Sequence, residues 1–283
     1  MTSPTRWLEV ACRGGLFAAA AVWLAGCGGQ VYELRMDETK KYFEFIEKQN
    51  VNLGRMWQGS GFALRPPVNY EIMPGPVIKK GKDGKVIEVG PDPRQPEFLG
   101  ERKLPGLVAA WKTEYPGDNQ QPRAPGYIFL LSNYELFLQA EPNKDQIEKF
   151  HGYAVGELCA GLSVPTPPAA NWIEEHFPRG PDYLPEKVYR TAILKPQPEI
   201  NGVKYDVTVY LQETKPLQAV LITMSPQGAR APSHGHVAEA PLTERINLAM
   251  ATFSNEGKRP VRAKPGTPAN AGGAAPAARP QGF

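Results

Sequence analysis

The sequence predicts an α+β fold, a largely antiparallel sheet with helices packed on one face, followed by a disordered C-terminal tail. Three observations predict it. Segments of strand character cluster together, and Asn201-Gly202 supplies a hairpin signal between two of them. Two stretches, 144–162 and the one beginning near Leu242, repeat their apolar residues at helical spacing instead. The 28 glycines and 30 prolines among 283 residues call for more turns than a helical bundle needs. A hydrophobic share of 41% with 22% charged residues is that of a globular chain. The length fits one large or two small domains.

The elements follow in order. Leu34, Tyr42, Phe45 and Ile46 recur near helical spacing between charged residues and predict a helix over 32–50. From Arg65 to Pro125 the chain carries 11 prolines, which excludes a run of central strands. Within it, 77–89 reads as an exposed hairpin turning at Asp83-Gly84, with lysines that protect a sheet edge. Strands are predicted at 107–113, 127–131 and 136–138, the last two separated by a turn at 132–135.

The strongest helix spans 144–162. Asn143 stands at its N-cap and Gln146 at the capping-box position, while Ile147, Phe150, Ala154, Leu158 and Leu162 form its apolar face. A short helix over 171–177, stopped by Pro178, is expected next. Strands then occupy 187–194, the alternating 203–212, and the nearly all-apolar 217–224, which reads as a buried central strand. The final helix carries Ile246, Met250 and Phe253 on one face. Residues 255–283 are basic and rich in Pro, Ala and Gly, too poor in apolar groups to offset the entropy of ordering.

The N-terminus reads as an export signal. Arg6 and Arg13 precede an uncharged, largely apolar stretch, 14–26, too short to cross a bilayer, which takes about 20 residues. It ends in Leu24-Ala25-Gly26-Cys27, a quartet that resembles the lipobox of bacterial lipoproteins. The resemblance covers the signal alone. It implies that the Cys27 thiol receives a diacylglycerol, that the chain is cut before Cys27, and that the new amine is acylated. Two or three acyl chains anchor stably where one does not. The expected organisation is a signal peptide at 1–26, a lipidated N-terminus and helix at 27–64, the α+β domain at 65–254, and the tail at 255–283. Gly28, where the family's retention signal has Asp, implies outer-membrane sorting in a host with two membranes.

Loss of Cys12 with the signal and acylation of Cys27 would leave Cys159 alone, so the exported chain forms no internal disulfide. The formal charge of +3 gives no nucleic-acid footprint. The bilayer is the expected partner, and the tail's cations could also meet envelope proteins or anionic polymer.

Chemistry is sparse. Gly59-Ser60-Gly61 lacks the spacing of a nucleophile elbow, and no phosphate-binding glycine loop appears. His234 and His236 could share a metal ion on an extended chain, but no third ligand stands at a defined spacing, and 226–241 reads as a solvated loop. On a helix, His151 and Cys159 lie roughly 12 Å apart along the axis, which excludes direct activation and makes Cys159 a core residue. Glu174, Glu175 and His176 read as a solvated helix face whose carboxylates diverge. Trp57, Trp111 and Trp172 read as core rather than as a ligand groove. Neither a catalytic residue, a cofactor nor a metal ligand is assigned. The expectation is a membrane-anchored envelope lipoprotein acting as a non-catalytic binding or assembly module. The alternative is an envelope hydrolase or metal-dependent enzyme using His234 and His236.

Overall fold

The computed structural model describes residues 31–81, 86–115, 123–178, 185–196, 199–230, 235–236 and 239–260. It is an α+β fold built on a seven-stranded sheet in which every pairing is antiparallel. Helix α1 covers 31–52. The short strands β1 (Trp57–Gly59) and β2 (Phe62–Leu64) follow, then β3 (Glu71–Ile72), β4 (Ile78–Lys80) and β5 (Val86–Val89). The long strands β6 (Leu107–Tyr115) and β7 (Ala124–Ser132) lead into helices α2 (Tyr134–Leu138), α3 (Lys144–Glu148) and α4 (Phe150–Gly161). Strands β8 (Ile173–Phe177), β9 (Lys187–Leu194), β10 (Tyr205–Thr214) and β11 (Leu217–Pro226) precede helix α5 (Leu242–Thr252) and strand β12 (Ser254–Asn255). The large sheet runs β3-β6-β7-β11-β10-β9-β8, the small one β1-β2-β12, and β4-β5 forms a separate exposed ribbon.

Strand β11 sets the architecture. Its near-continuous apolar sequence buries residues on both faces, so both must be covered. Val220, Ile222 and Met224 join Val207, Val209 and Leu211 of β10 in a core under α4. Ala219 and Leu221 point the other way, into a core with Ile246, Ala249 and Met250 of α5 and with Phe62 and Leu64 of β2. The helices thus lie on both faces of the sheet, whereas the sequence predicts one. Val207 and Leu221 are buried on adjacent strands but on opposite faces.

Local sequence explains the turns. Asn201 and Gly202 both take positive φ, 52° and 76°, between the bridged Ile200 and Val203, the geometry of a type I′ hairpin. Ser60 and Gly61 do the same between β1 and β2, which gives Gly59-Ser60-Gly61 a structural role. Gly106 has φ 60° beside the Ser132 carbonyl, which leaves no room for a Cβ. In β7, Pro125 and Gly126 fall beyond the stretch paired with β11, so the missing donor interrupts only the strand's end.

Four further sequence expectations are corrected. Residues 136–138 are helical, within α2. Buried Asn133 accepts from the Gln218 N–H at 3.0 Å and donates to the Ile147 and Pro216 carbonyls, while Ser132 Oγ accepts from the Tyr134 N–H, so the chain turns there. The helix predicted over 144–162 breaks at Lys149 into α3 and α4, because Ile147 packs into one core and Phe150 into the other. Its N-cap is as predicted, Asn143 Oδ1 accepting from the Gln146 N–H at 3.3 Å. Residues 171–177 are a short 3-10 turn and then the edge strand β8, paired to β9. The predicted tail begins too early: Asn255 lies in β12, and its side chain donates to Gln212 and to the Leu217 carbonyl. The disorder expected for 261–283, the turn at Asp83-Gly84 and the export signal lie outside the described residues.

Candidate functional site

The anchor candidate, Cys27, lies outside the described residues, and α1 begins four positions beyond it. Residues 31–44 are exposed on every side, although they include Tyr32 (65% exposed) and Phe43 (64%). The last two turns are fixed to the body. Asn52 is fully buried, accepts from the Ala240 N–H at 2.8 Å and donates to the Lys48 carbonyl, and Lys48 pairs with Glu244 of α5. No described helix is long and apolar enough to cross a membrane.

Of the proposed metal pair, His234 lies outside the described residues. The His236 N–H donates to Glu239 Oε1 at 3.0 Å, and Glu239 also faces the buried guanidinium of Arg245 at 3.6 Å. Glu239 is therefore engaged in fixing the segment before α5. Among the described residues, no group of three or more His, Cys, Asp or Glu side chains could hold a metal ion.

Cys159 is buried in the α4 core, where loss of water pushes its thiol up against the opposing pull of a Thr166 hydrogen bond. The His151 ring sits at 3.1 Å from the Ala219 carbonyl, the backbone N–H of His151 donates to Gln218 Oε1, and burial lowers the imidazole pKa. Each is held by its own structural partner. Trp111 is core, edge-on to Trp57 at 5.3 Å, whereas Trp172 is half-buried with the Arg190 guanidinium 5.7 Å over its ring.

The strand geometry of β8 makes a cluster that the helical reading missed. On a strand, residues two apart share a face, so Glu174 and His176 stand together and Glu175 points away. His176 Nδ1 lies 2.9 Å from Glu186 and Nε2 lies 3.2 Å from Glu174. Hydrogen bonds to Glu186 and then Glu174 raise the imidazole pKa. Glu186 stands ten residues away, and only the β8–β9 register brings it near. All three side chains are solvated, which makes them a charged edge that discourages further strand pairing.

A cavity of about 640 Å³ opens between α2–α3 and the turn from β10 to β11. Phe137, Ile147 and Pro216 give it apolar walls, Lys144, Lys215 and Arg259 place cations around it, and Glu148 and Glu213 add two carboxylates. Arg259 comes from the chain after β12 and stacks 5.4 Å over the Phe137 ring. Sequence reading missed this site because its residues come from four separate segments. A group of mixed apolar and polar character suits its lining.

Neither a protein-family model nor a curated protein matches the chain. A crystal structure of a protein from Bacteroides thetaiotaomicron VPI-5482 resembles 71% of this chain and 48% of its own, at 10% identity and a TM-score of 0.32. The chain spans about half the length of that protein, and a likeness this distant carries no argument about function.

Proposed function

We propose that the protein is an envelope lipoprotein, held to the membrane through Cys27, whose α+β body is a non-catalytic binding or assembly module. The cavity beside Phe137 supports the binding part of this reading. Its three cations surround apolar walls, and none of them is ion-paired with a described carboxylate. Three solvated cations and two carboxylates, Glu148 and Glu213, around an apolar floor suit the binding and orientation of a ligand. The lipobox resemblance supports the anchoring part, and the cations of 258–279 would add a salt-screened attraction to anionic envelope polymer.

Both parts have a direct test. Cys27→Ser should leave an unprocessed or soluble chain in place of one that enters the detergent phase. A variant that still enters that phase, cut at the same bond, refutes the anchor. Lys215→Glu combined with Arg259→Glu should keep the fold and lose the envelope partners that cross-link to the wild type; an unchanged cross-linking pattern refutes the cavity as the binding site.

A further inference from the structure

We propose that the cavity beside Phe137 takes a zwitterionic ligand, a peptide of two or three residues with both ends free, an inference that rests on the binding reading above and gives its chemical class. Five charged side chains ring the opening: Lys144 and Glu148 of α3, Glu213 near the end of β10, Lys215 in the turn after it, and Arg259 beyond β12. All five are exposed, and none is ion-paired with a described residue. Lys144 and Glu148 stand four apart on one helix, a spacing at which opposite charges can meet, yet they stay apart. One position along, Asp145 and Lys149 close the equivalent pair at 2.6 Å. Charges of both signs thus face one cavity without neutralising each other.

The backbone that carries these charges is held at a fixed separation. Buried Asn133 donates to the Ile147 carbonyl on α3 and to the Pro216 carbonyl in the turn, each at 3.3 Å, so one amide spans two walls. Buried Gln218 donates to the Glu148 carbonyl at 3.0 Å. On the third side Gly257 has φ 64°, and a Cβ there would come within 2.8 Å of Thr214 Cγ2. The chain leading to Arg259 therefore lies close against the end of β10. A frame fixed before binding spares the ligand much of the entropy of ordering.

Charge and size identify the class of ligand. A simple anion would meet Glu148 and Glu213, and a simple cation would meet Lys144, Lys215 and Arg259. A molecule with an ammonium at one end and a carboxylate at the other satisfies both sets, and the Arg259 guanidinium suits a carboxylate through paired hydrogen bonds. A volume of about 640 Å³ corresponds to a width of about 11 Å, which three residues cover at about 3.6 Å each. Between the ends, an apolar side chain finds Phe137, Ile147 and Pro216.

The test titrates the full-length chain, solubilised in detergent, with the tripeptide Ala-Leu-Ala and with its N-acetylated and C-amidated forms, by isothermal titration calorimetry. The free tripeptide should bind, and blocking either end should weaken it by about fivefold or more, the effect of losing one partly solvated ion pair. Glu148→Gln with Glu213→Gln should weaken the free tripeptide and leave the N-acetylated one unchanged. Lys215→Gln with Arg259→Gln should weaken the free tripeptide and leave the C-amidated one unchanged. No binding of the free tripeptide, or equal binding of all three forms, overturns the proposal. So does equal weakening of all three forms by either variant, since a disturbed fold would act that way. If Lys215→Glu with Arg259→Glu abolishes the envelope cross-links while the wild type binds no tripeptide, the peptide assignment falls and the cavity stands as the binding site.

Discussion

Leu221 shows how one side chain can be read from sequence and yet be placed incompletely. Its apolar neighbours predict burial, and it is fully buried, but only the β10–β11 register reveals which core it fills. Leu221→Ala should cost about 2–5 kcal/mol through lost burial and the cavity left behind. Chemical denaturation checks this, and an unchanged midpoint would place the side chain outside the core. His176 was legible as a polar residue but not as a bridge, since Glu186 reaches it only across a strand pair. Its imidazole should titrate by NMR above the ordinary value of about 6.5, and Glu186→Gln should bring the midpoint down. Because the folded pKa is raised, the contribution of this pairing is full below the unfolded value and fades as pH rises through the folded one. A midpoint at or below the ordinary value would mean that the two carboxylates do not hold the ring.

At the scale of elements, long periodic segments and special turns were legible, and short apolar pieces were not. The strands β6, β7, β9, β10 and β11 and the helix α5 follow from their patterns, and Asn201-Gly202 from the φ values its turn demands. Leu136-Phe137-Leu138 is three apolar residues long, which strand and helix satisfy equally; the decision belongs to Asn133, whose partners Ile147, Pro216 and Gln218 are remote in sequence. Residues 173–177 lacked a clear period of either kind, and the exposed edge of β9 makes them a strand. The C-terminal boundary failed for a related reason. Composition marks 255–283 as unable to form a core, yet Asn255 needs only hydrogen bonds, to Gln212 and Leu217, to join one. A chain ending at Pro260 should therefore keep its Tm, whereas a chain ending at Phe253 should melt lower, having lost β12 and its bonds. Equal melting of both would show that 254–260 adds nothing to the fold.

For the molecule as a whole, the same residues that make β11 central require cover on both faces, so α4 and α5 bracket the sheet. The small sheet β1-β2-β12 ties the first strands to the last, and Asn52 and Lys48 fix the end of α1 to that assembly. The body is thus joined firmly to a helix whose other end begins four residues from Cys27. The central claim is that this short connection ends in lipid. Mass analysis of the N-terminal peptide from membrane-purified protein tests it most directly. The account predicts a peptide that begins at Cys27 and carries a thioether-linked diacylglyceryl group with an acylated amine. A peptide in which Gly26 is still joined to an unmodified Cys27 would contradict it.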